Sequence, residues 1–173
     1  MERGHSLKSI FPLATVFLAV FVIDQLTKWL IQEHIELGYG VIPIIDGIFN
    51  LRHDTNDGAA FGLMPGQNVL LIIISILAIG LIFVYYRHFR DSLWMRIALG
   101  FLLGGALGNF ADRIRIGKVI DFLQVGIAGV GERGLWWPTF NVADIAICIG
   151  AGMLIVHQVR KRGGSDVAQS IEN

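Results

Sequence analysis

The sequence has little charge and almost no cysteine. Charged residues make up 16% of the 173 residues, and hydrophobic residues make up 54%. Soluble domains carry roughly a quarter charged residues, so this composition excludes an ordinary soluble domain and favours an integral membrane protein. The formal net charge of zero excludes a strongly basic nucleic-acid-binding protein. The one cysteine, Cys148, has no partner for an internal disulfide, and we expect it to be a buried small hydrophobic residue.

Four apolar segments are long enough to cross a bilayer. A spanning helix needs about 20 mostly apolar residues. The sequence predicts such helices at about 10–31, 69–86, 93–111 and 142–159, followed by a polar tail at 160–173. We therefore predict an all-α membrane protein with four transmembrane helices, forming a single domain over residues 1–173.

Glycine is concentrated on one face of the third predicted helix. Gly100, Gly104 and Gly108 recur every four residues, which places them in one stripe. Small residues in such a stripe let the backbone of a second helix approach closely. The stripe predicts a helix–helix contact face.

Two segments that connect the helices differ in composition. Residues 40–56 contain β-branched and aromatic residues with rough alternation, which predicts a small β-rich segment between helices one and two. Residues 118–123 also resemble a strand. The chain then becomes rich in glycine up to Trp137, which predicts a glycine-rich loop between helices three and four.

The distribution of basic residues predicts the orientation in the membrane. Cytoplasmic loops carry an excess of Lys and Arg close to the helix ends. Eight basic residues fall on the side that holds both chain termini, and six fall on the other side. The eight are Arg3, Lys8, Arg87, Arg90, Arg96, Arg160, Lys161 and Arg162; the six are Lys28, Arg52, Arg113, Arg115, Lys118 and Arg133. We expect both termini in the cytoplasm and the two connecting segments on the opposite, outer side of the membrane.

Polar residues at the outer ends of the helices are candidates for chemistry, because polar groups at membrane depth are costly and usually functional. Asp24 and Lys28 are four residues apart, so an intrahelical ion pair is an equally good interpretation. Asn56 precedes Asp57 and Gly58, and such an asparagine is often only a turn residue.

Two further clusters have structural alternatives as well. Asn109, Asp112 and Arg113 share one face at the end of helix three, where an Asp–Arg pair would be purely structural. Asn141 and Asp144 are three residues apart at the start of helix four, which is also the pattern of a helix cap. Spacing alone does not choose between a site and these alternatives.

Other hydrolytic mechanisms lack their residues. Ser75 lies deep in helix two without a histidine at helical spacing, and the only histidine on the helix of Cys148 is at its opposite end. The five histidines form no close metal-ligand spacing, so we expect no metal. The outer side is left with carboxylates and carboxamides, and paired carboxylates activate water by sharing one proton.

Five segments, in this order, resemble the signature motifs of the lipoprotein signal peptidase (signal peptidase II) family. They are 24–28 (DQLTK), 56–61 (NDGAAF), 104–113 (GGALGNFADR), 119–122 (VIDF) and 140–144 (FNVAD). The resemblance spans about residues 10–158. The stretch 126–137 is longer and richer in glycine than the family pattern implies.

The resemblance implies residue roles and a reaction. The implied catalytic aspartates are Asp121 and Asp144. Residues implied to support the site or hold substrate are Asp24, Lys28, Asn56, Asn109, Asp112, Arg113 and Asn141. The implied activity is an aspartic endopeptidase that needs no cofactor. It cuts a bacterial prolipoprotein on the amino side of a cysteine that carries diacylglycerol, and it works as a monomer in contact with membrane lipid, without nucleic acid.

Two other functions are weighed against this one. A small proton or cation transporter would also use intramembrane acids, but these acids cluster at one face and no inverted repeat is visible. A catalytically inactive protein that binds lipidated peptides would have no need of both Asp121 and Asp144.

Overall fold

In the computed structural model, the described backbone covers residues 3–58, 64–89, 92–129 and 134–172. The side chains of residues 3–9, 89 and 162–172 are also outside the description. Several residues used above therefore lie outside the described residues: Arg90, Arg133 and positions 59–61 of the second motif, together with the side chains of Arg3, Lys8 and Arg162.

Four long helices form the body of the described chain. Each contains a stretch of at least 20 residues that is long and apolar enough to cross a membrane. This confirms the number of predicted spans. The helices are α1 (Arg3–His34), α2 (Asn68–Phe89), α3 (Leu93–Ile116) and α4 (Val142–Glu172).

All four helices are longer than the sequence predicted, and α3 and α4 extend beyond their predicted C-terminal ends by five residues or more. The α3 helix ends at Ile116 rather than near residue 111, because Gly117 adopts a left-handed conformation (φ 75°) and donates its N–H to the Arg113 carbonyl at 3.1 Å. The α4 helix continues to Glu172 through the predicted polar tail. No proline follows Pro138, so nothing in the backbone forces a stop.

The glycine stripe on α3 packs against α1, which confirms the predicted contact face. A Cβ atom added at Gly100 would lie 2.8 Å from the Val16 Cβ, and one at Gly104 would lie 2.6 Å from the Val20 Cβ. Contacts this short require that the residue has no side chain. The increasing numbers on both helices also show that α1 and α3 run in the same direction.

A four-stranded antiparallel sheet joins the two connecting segments, which corrects two predictions. Its strands, in spatial order, are β1 (Val41–Ile45), β2 (Phe49–Asn56), β3 (Val119–Ile127) and β4 (Leu135–Trp136). The all-α class is therefore incomplete, and the glycine-rich segment is not wholly a loop. Gly126 belongs to β3, because its lack of a side chain lets the backbone and ring of Trp136 approach closely.

The sheet is held against the helix ends by a small apolar cluster. Ile31, near the end of α1, and Ile35, the first residue after it, pack with Phe122 from β3, and all three are buried. Leu123 pairs with Phe140 just before α4 begins, through backbone bonds in both directions. These contacts bring β3, the start of α4 and the ends of α1 and α3 together.

Cys148 is exposed on α4, so the prediction that it is buried was wrong. Ile145 and Ile149 on the same helix are also more than one third exposed. A thiol is a weakly polar group that hydrocarbon tolerates, so a membrane-facing position has little cost for it.

Candidate functional site

Two carboxyl groups from different elements meet at one asparagine. Asp121 lies in the middle of β3 and Asp144 lies in the first turn of α4. Asn141 donates its side-chain amide to Asp121 Oδ1 at 2.7 Å and its backbone N–H to Asp144 Oδ2 at 3.2 Å. Since Asn141 is completely buried, this bridge fixes both acids relative to each other.

Local chain geometry explains why these residues converge. Asn141 is the residue before α4, and its Oδ1 accepts the backbone N–H of Asp144 at 2.9 Å. Together with the reverse bond from the Asn141 N–H, this is a complete capping box. The pairing of Leu123 with Phe140 places that box directly beside β3.

The remaining carboxyl oxygens also receive amide donors. Asn56, at the end of β2, donates to Asp121 Oδ2 at 3.2 Å. Asn109, on α3, donates to Asp144 Oδ1 at 2.8 Å. Each of the four oxygens of the two acids thus accepts a hydrogen bond from a neutral N–H group.

A buried ion cluster lies behind the two acids. Lys28 Nζ is 2.9 Å from Asp24 Oδ2, 2.8 Å from Asp112 Oδ2 and 3.0 Å from Asn109 Oδ1. Lys28 is 1% exposed, and both acids are fully buried. One cation therefore compensates two carboxylates where water does not reach, which is the condition for burying such charges.

The two acids of this cluster hold the backbone next to the catalytic candidates. Asp24 Oδ1 accepts the N–H of Ala143 at 2.9 Å, immediately before Asp144. Asp112 Oδ2 accepts the N–H of Ile120 at 3.3 Å, immediately before Asp121. The ion cluster is therefore connected to both site acids through their own backbone.

Gln25 belongs to this network, and the sequence analysis missed it. Its side-chain amide lies 3.2 Å from Asp112 Oδ1, from Asp24 Oδ2 and from the Gly108 carbonyl. The signal in the sequence was its place between Asp24 and Lys28 in the first motif. The contacts with α3 depend on helix packing, which that local pattern does not encode.

Arg113 extends from α3 toward the site, but its contacts differ from the Asp112–Arg113 pair that the sequence suggested. Its guanidinium donates to the Gly58 carbonyl at 2.9 Å, which ties the end of β2 to α3. The charges of Asp144, Asp121 and Asp112 all act on it electrostatically. Asp112 forms its ion pair with Lys28 instead, so the predicted structural Asp–Arg pair is replaced by two separate roles.

Burial makes Asp121 a weak acid. Burial and, to a smaller extent, the charge of Asp144 raise the pKa of the Asp121 carboxyl to about 7, while the hydrogen bonds from Asn56 and Asn141 and the charge of Lys28 act in the opposite direction. An ordinary aspartate has a pKa near 3.9. Asp121 therefore exchanges its proton close to neutral pH, as a general acid–base group requires.

The ion pair, the turn and the helix cap that were the structural interpretations of these residues are all present, together with the contacts around the two acids. Asp24 and Lys28 do form an intrahelical ion pair, and Asn56 Oδ1 does accept the Gly58 N–H in a turn. Asn141 and Asp144 do form a cap. The same side chains use their other atoms in the network around the two acids.

An apolar groove lies elsewhere, between α2, α3 and α4. Its volume is about 960 Å³, and its lining includes Leu81, Leu99, Leu102 and Ile155, with His88 at one end. Neither Asp121 nor Asp144 lines it. Among the described residues, no Asp or Glu lines this groove, so the acid cluster is the candidate active site.

The chain is similar to known proteins over most of its length. The family model described as signal peptidase (SPase) II matches residues 16–160. The lipoprotein signal peptidase of Halothermothrix orenii is 40% identical over 142 residues, covering 82% of this chain and 91% of the relative. That of Geobacter sulfurreducens is 42% identical over 150 residues, covering 84% and 90%.

The fold also matches a solved structure. It is described as a bacterial membrane enzyme, with a TM-score of 0.79 and 30% sequence identity, covering 88% of this chain and 90% of that chain. Together with the four apolar helices, this similarity indicates a multi-pass membrane protein.

Proposed function

The chain belongs to the signal peptidase II family of proteases, and we propose that it is an intramembrane aspartyl endopeptidase acting on bacterial prolipoproteins. It removes the signal peptide on the amino side of a cysteine that carries diacylglycerol. The names of its relatives support prolipoprotein processing. The observation that carries the aspartyl mechanism is the bridge that Asn141 forms between Asp121 and Asp144.

The two acids act as a pair that shares one proton. The ionised carboxyl takes a proton from water as that water attacks the scissile carbonyl, and the protonated carboxyl donates a hydrogen bond to the carbonyl oxygen. The pKa of Asp121, near 7, suits this exchange. Because strongly coupled acids titrate together, the proton belongs to the pair and not to one residue.

The surrounding amides keep the pair in position without neutralising it. Asn56, Asn109 and Asn141 donate to the carboxyl oxygens but carry no charge. A cation in direct contact would favour full ionisation and remove the shared proton. Lys28 forms its ion pairs with Asp24 and Asp112 rather than with Asp121 or Asp144. This supports a positioning role for the buried ion cluster.

Substrate reaches the site from within the membrane. A signal-peptide helix and two acyl chains are both soluble in hydrocarbon, and the acids lie where the sheet meets the helix ends. Ile114 and Ile116 in the last turn of α3, and Trp137 directly after β4, are exposed apolar residues. They support lateral entry between the helices by a monomeric enzyme that uses no cofactor.

We further propose that the site opens to the periplasmic face of the inner membrane. Eight basic residues lie at the end that holds the termini and six lie at the other end. This excess supports cytoplasmic termini. Reporter fusions at Arg90 and Arg133, two sequence positions outside the described residues, should report opposite sides; the same side for both would refute the topology.

Cleavage by purified variants tests the carboxyl pair. Asp121→Asn and Asp144→Asn should each abolish cleavage of a diacylglyceryl prolipoprotein, because a carboxamide neither accepts the proton of water nor shares one. Asp46→Asn is the matched control, since it removes an exposed carboxylate from the turn between β1 and β2. All three variants should be compared at equal amounts of folded protein. Near wild-type turnover by either site variant would exclude the mechanism.

A further inference from the structure

A third carboxylate lies directly opposite Asp121 in the sheet. Asp54 on β2 is the cross-strand partner of Asp121 on β3. Side chains of directly opposite residues lie on the same face, with Cβ atoms roughly 4.5–5.5 Å apart. Two acids in such positions destabilise a sheet, so their pairing beside a candidate active site calls for a functional reason.

Asp54 is itself held by a cation. Arg52 Nε lies 3.2 Å from Asp54 Oδ2, and Arg52 Nη2 lies 3.4 Å from Asp54 Oδ1. The Arg52 and Asp54 side chains are 29% and 25% exposed, so solvent reaches the pair. The strand register shifts between Leu51 and Asp54, and an irregularity of this kind redirects side chains near active sites.

The charges around Asp121 come from every element packed on it. Asp144 faces it from α4 and Lys28 from α1, while α3 contributes Arg113. The β2 strand contributes Asp54. The Arg52–Asp54 pair is partly exposed to solvent, whereas Asp121 and Lys28 are buried.

We propose that Asp54, paired with Arg52, is a positioning residue that sets the pH range in which the carboxyl pair of Asp121 and Asp144 works. This inference rests on the proposed aspartyl mechanism. The negative charge of Asp54 makes it harder for the pair to lose its shared proton. The positive charge of Arg52 offsets part of that effect, so the two residues act in opposite directions.

The two members of the pair should therefore shift the pH profile in opposite directions. Asp54→Asn removes the nearby anion, so the basic limb of the kcat/KM profile moves to lower pH. Arg52→Gln leaves the Asp54 charge uncompensated, so the same limb moves to higher pH. A shift of about half a pH unit to one unit is expected for charges several ångströms apart at a solvated site. The double variant should lie near the wild type.

Salt and a matched control separate this effect from a structural one. Because the pair is partly exposed, about 1 M salt should shrink both shifts. Asp46→Asn removes a carboxylate from the same sheet at the exposed β1–β2 turn, and it should leave the profile in place. A structural role alone would lower turnover in both variants without moving the limb in opposite directions.

A measurement without substrate keeps the inference testable on its own. As pH rises, the melting temperature in detergent should fall until Asp121 has lost its proton in the folded protein. The pH at which this fall ends therefore reports the deprotonation of Asp121. It should move down in Asp54→Asn and up in Arg52→Gln, and Asp121→Asn should abolish the difference. If wild-type protein cleaves no prolipoprotein, the proposed function fails while the melting data still decide the coupling. Shifts in the same direction, or no shifts, would overturn the role of Asp54.

Discussion

Asn141 and Asp144 cap each other: the backbone N–H of each donates to a side-chain oxygen of the other, at 3.2 and 2.9 Å. This is the arrangement that begins a stable helix. It also leaves the Asn141 amide free to donate to Asp121 and leaves one Asp144 oxygen for Asn109. The start of α4 and the acid pair are therefore built by the same two side chains.

A serine at position 141 should separate these two roles. Asn141→Ser keeps a side-chain oxygen that caps α4, but it loses the amide donor that reaches Asp121. A hydrogen bond to a charged group contributes about 1.5–3 kcal/mol, so kcat/KM should fall roughly 10- to 100-fold. The melting temperature should change much less than in Asn141→Ala, which loses the cap as well. Equal loss of stability in both variants would contradict this division.

Stability should depend on pH through Asp121. The folded-state pKa, about 7, is higher than the value near 3.9 expected in the unfolded chain, so the folded protein binds the proton more tightly. The stabilising contribution of Asp121 is then greatest below pH 4 and falls as pH rises to 7, by as much as about 4 kcal/mol. Asp121→Asn should lack this fall. Parallel pH curves of melting temperature for the two proteins would show that Asp121 titrates as an ordinary acid.

Removing the buried cation should destabilise the protein strongly. Lys28→Met leaves Asp24 and Asp112 without their shared counter-ion, and breaking a buried ion pair typically costs about 3–5 kcal/mol. The exposed Lys118→Met is the control and should cost little. Chemical unfolding in detergent measures both variants. A small loss for Lys28→Met would mean that water or a rearranged side chain compensates the acids.

The glycine stripe predicts a difference between two helix glycines. Gly104→Leu places a side chain where a Cβ atom would already lie 2.6 Å from the Val20 Cβ, so α1 and α3 should be forced apart. Gly80 on α2 has open space around it, and Gly80→Leu should leave folding intact. Thermal stability in detergent and cleavage activity should both drop for position 104 alone. Similar stability of the two variants would mean that the close contact between α1 and α3 at Gly104 contributes little to folding.

Much of the fold followed from patterns that are local in the sequence. Apolar length predicted the four helices, and the spacing of Gly100, Gly104 and Gly108 predicted a face that packs on another helix. Alternation predicted a strand in the first connecting segment, and the strand-like run at 118–123 predicted one in the second. The extension of β3 through Gly126 was missed, because a glycine is a strand residue there only when Trp136 lies against it.

The site was harder to predict because its contacts join distant segments. Motif residues could be named, but Lys28 meets Asp112 only after α1 packs on α3. The position of Asp54 opposite Asp121 depends on the register between β2 and β3 and on the irregularity within it. No pattern inside residues 49–56 encodes that register, so Asp54 and Arg52 went unrecognised as neighbours of the acids.

The bond from the Ala143 N–H to Asp24 joins residues 119 positions apart, from the first helix to the last. During synthesis, α1 and α3 emerge first and bring together Lys28, Asp24 and Asp112, whereas Asp144 emerges only with α4. The growing chain therefore holds a single catalytic candidate, Asp121, until its final helix has entered the membrane. A partly made molecule therefore lacks one of the two carboxyl groups on which the proposed mechanism depends.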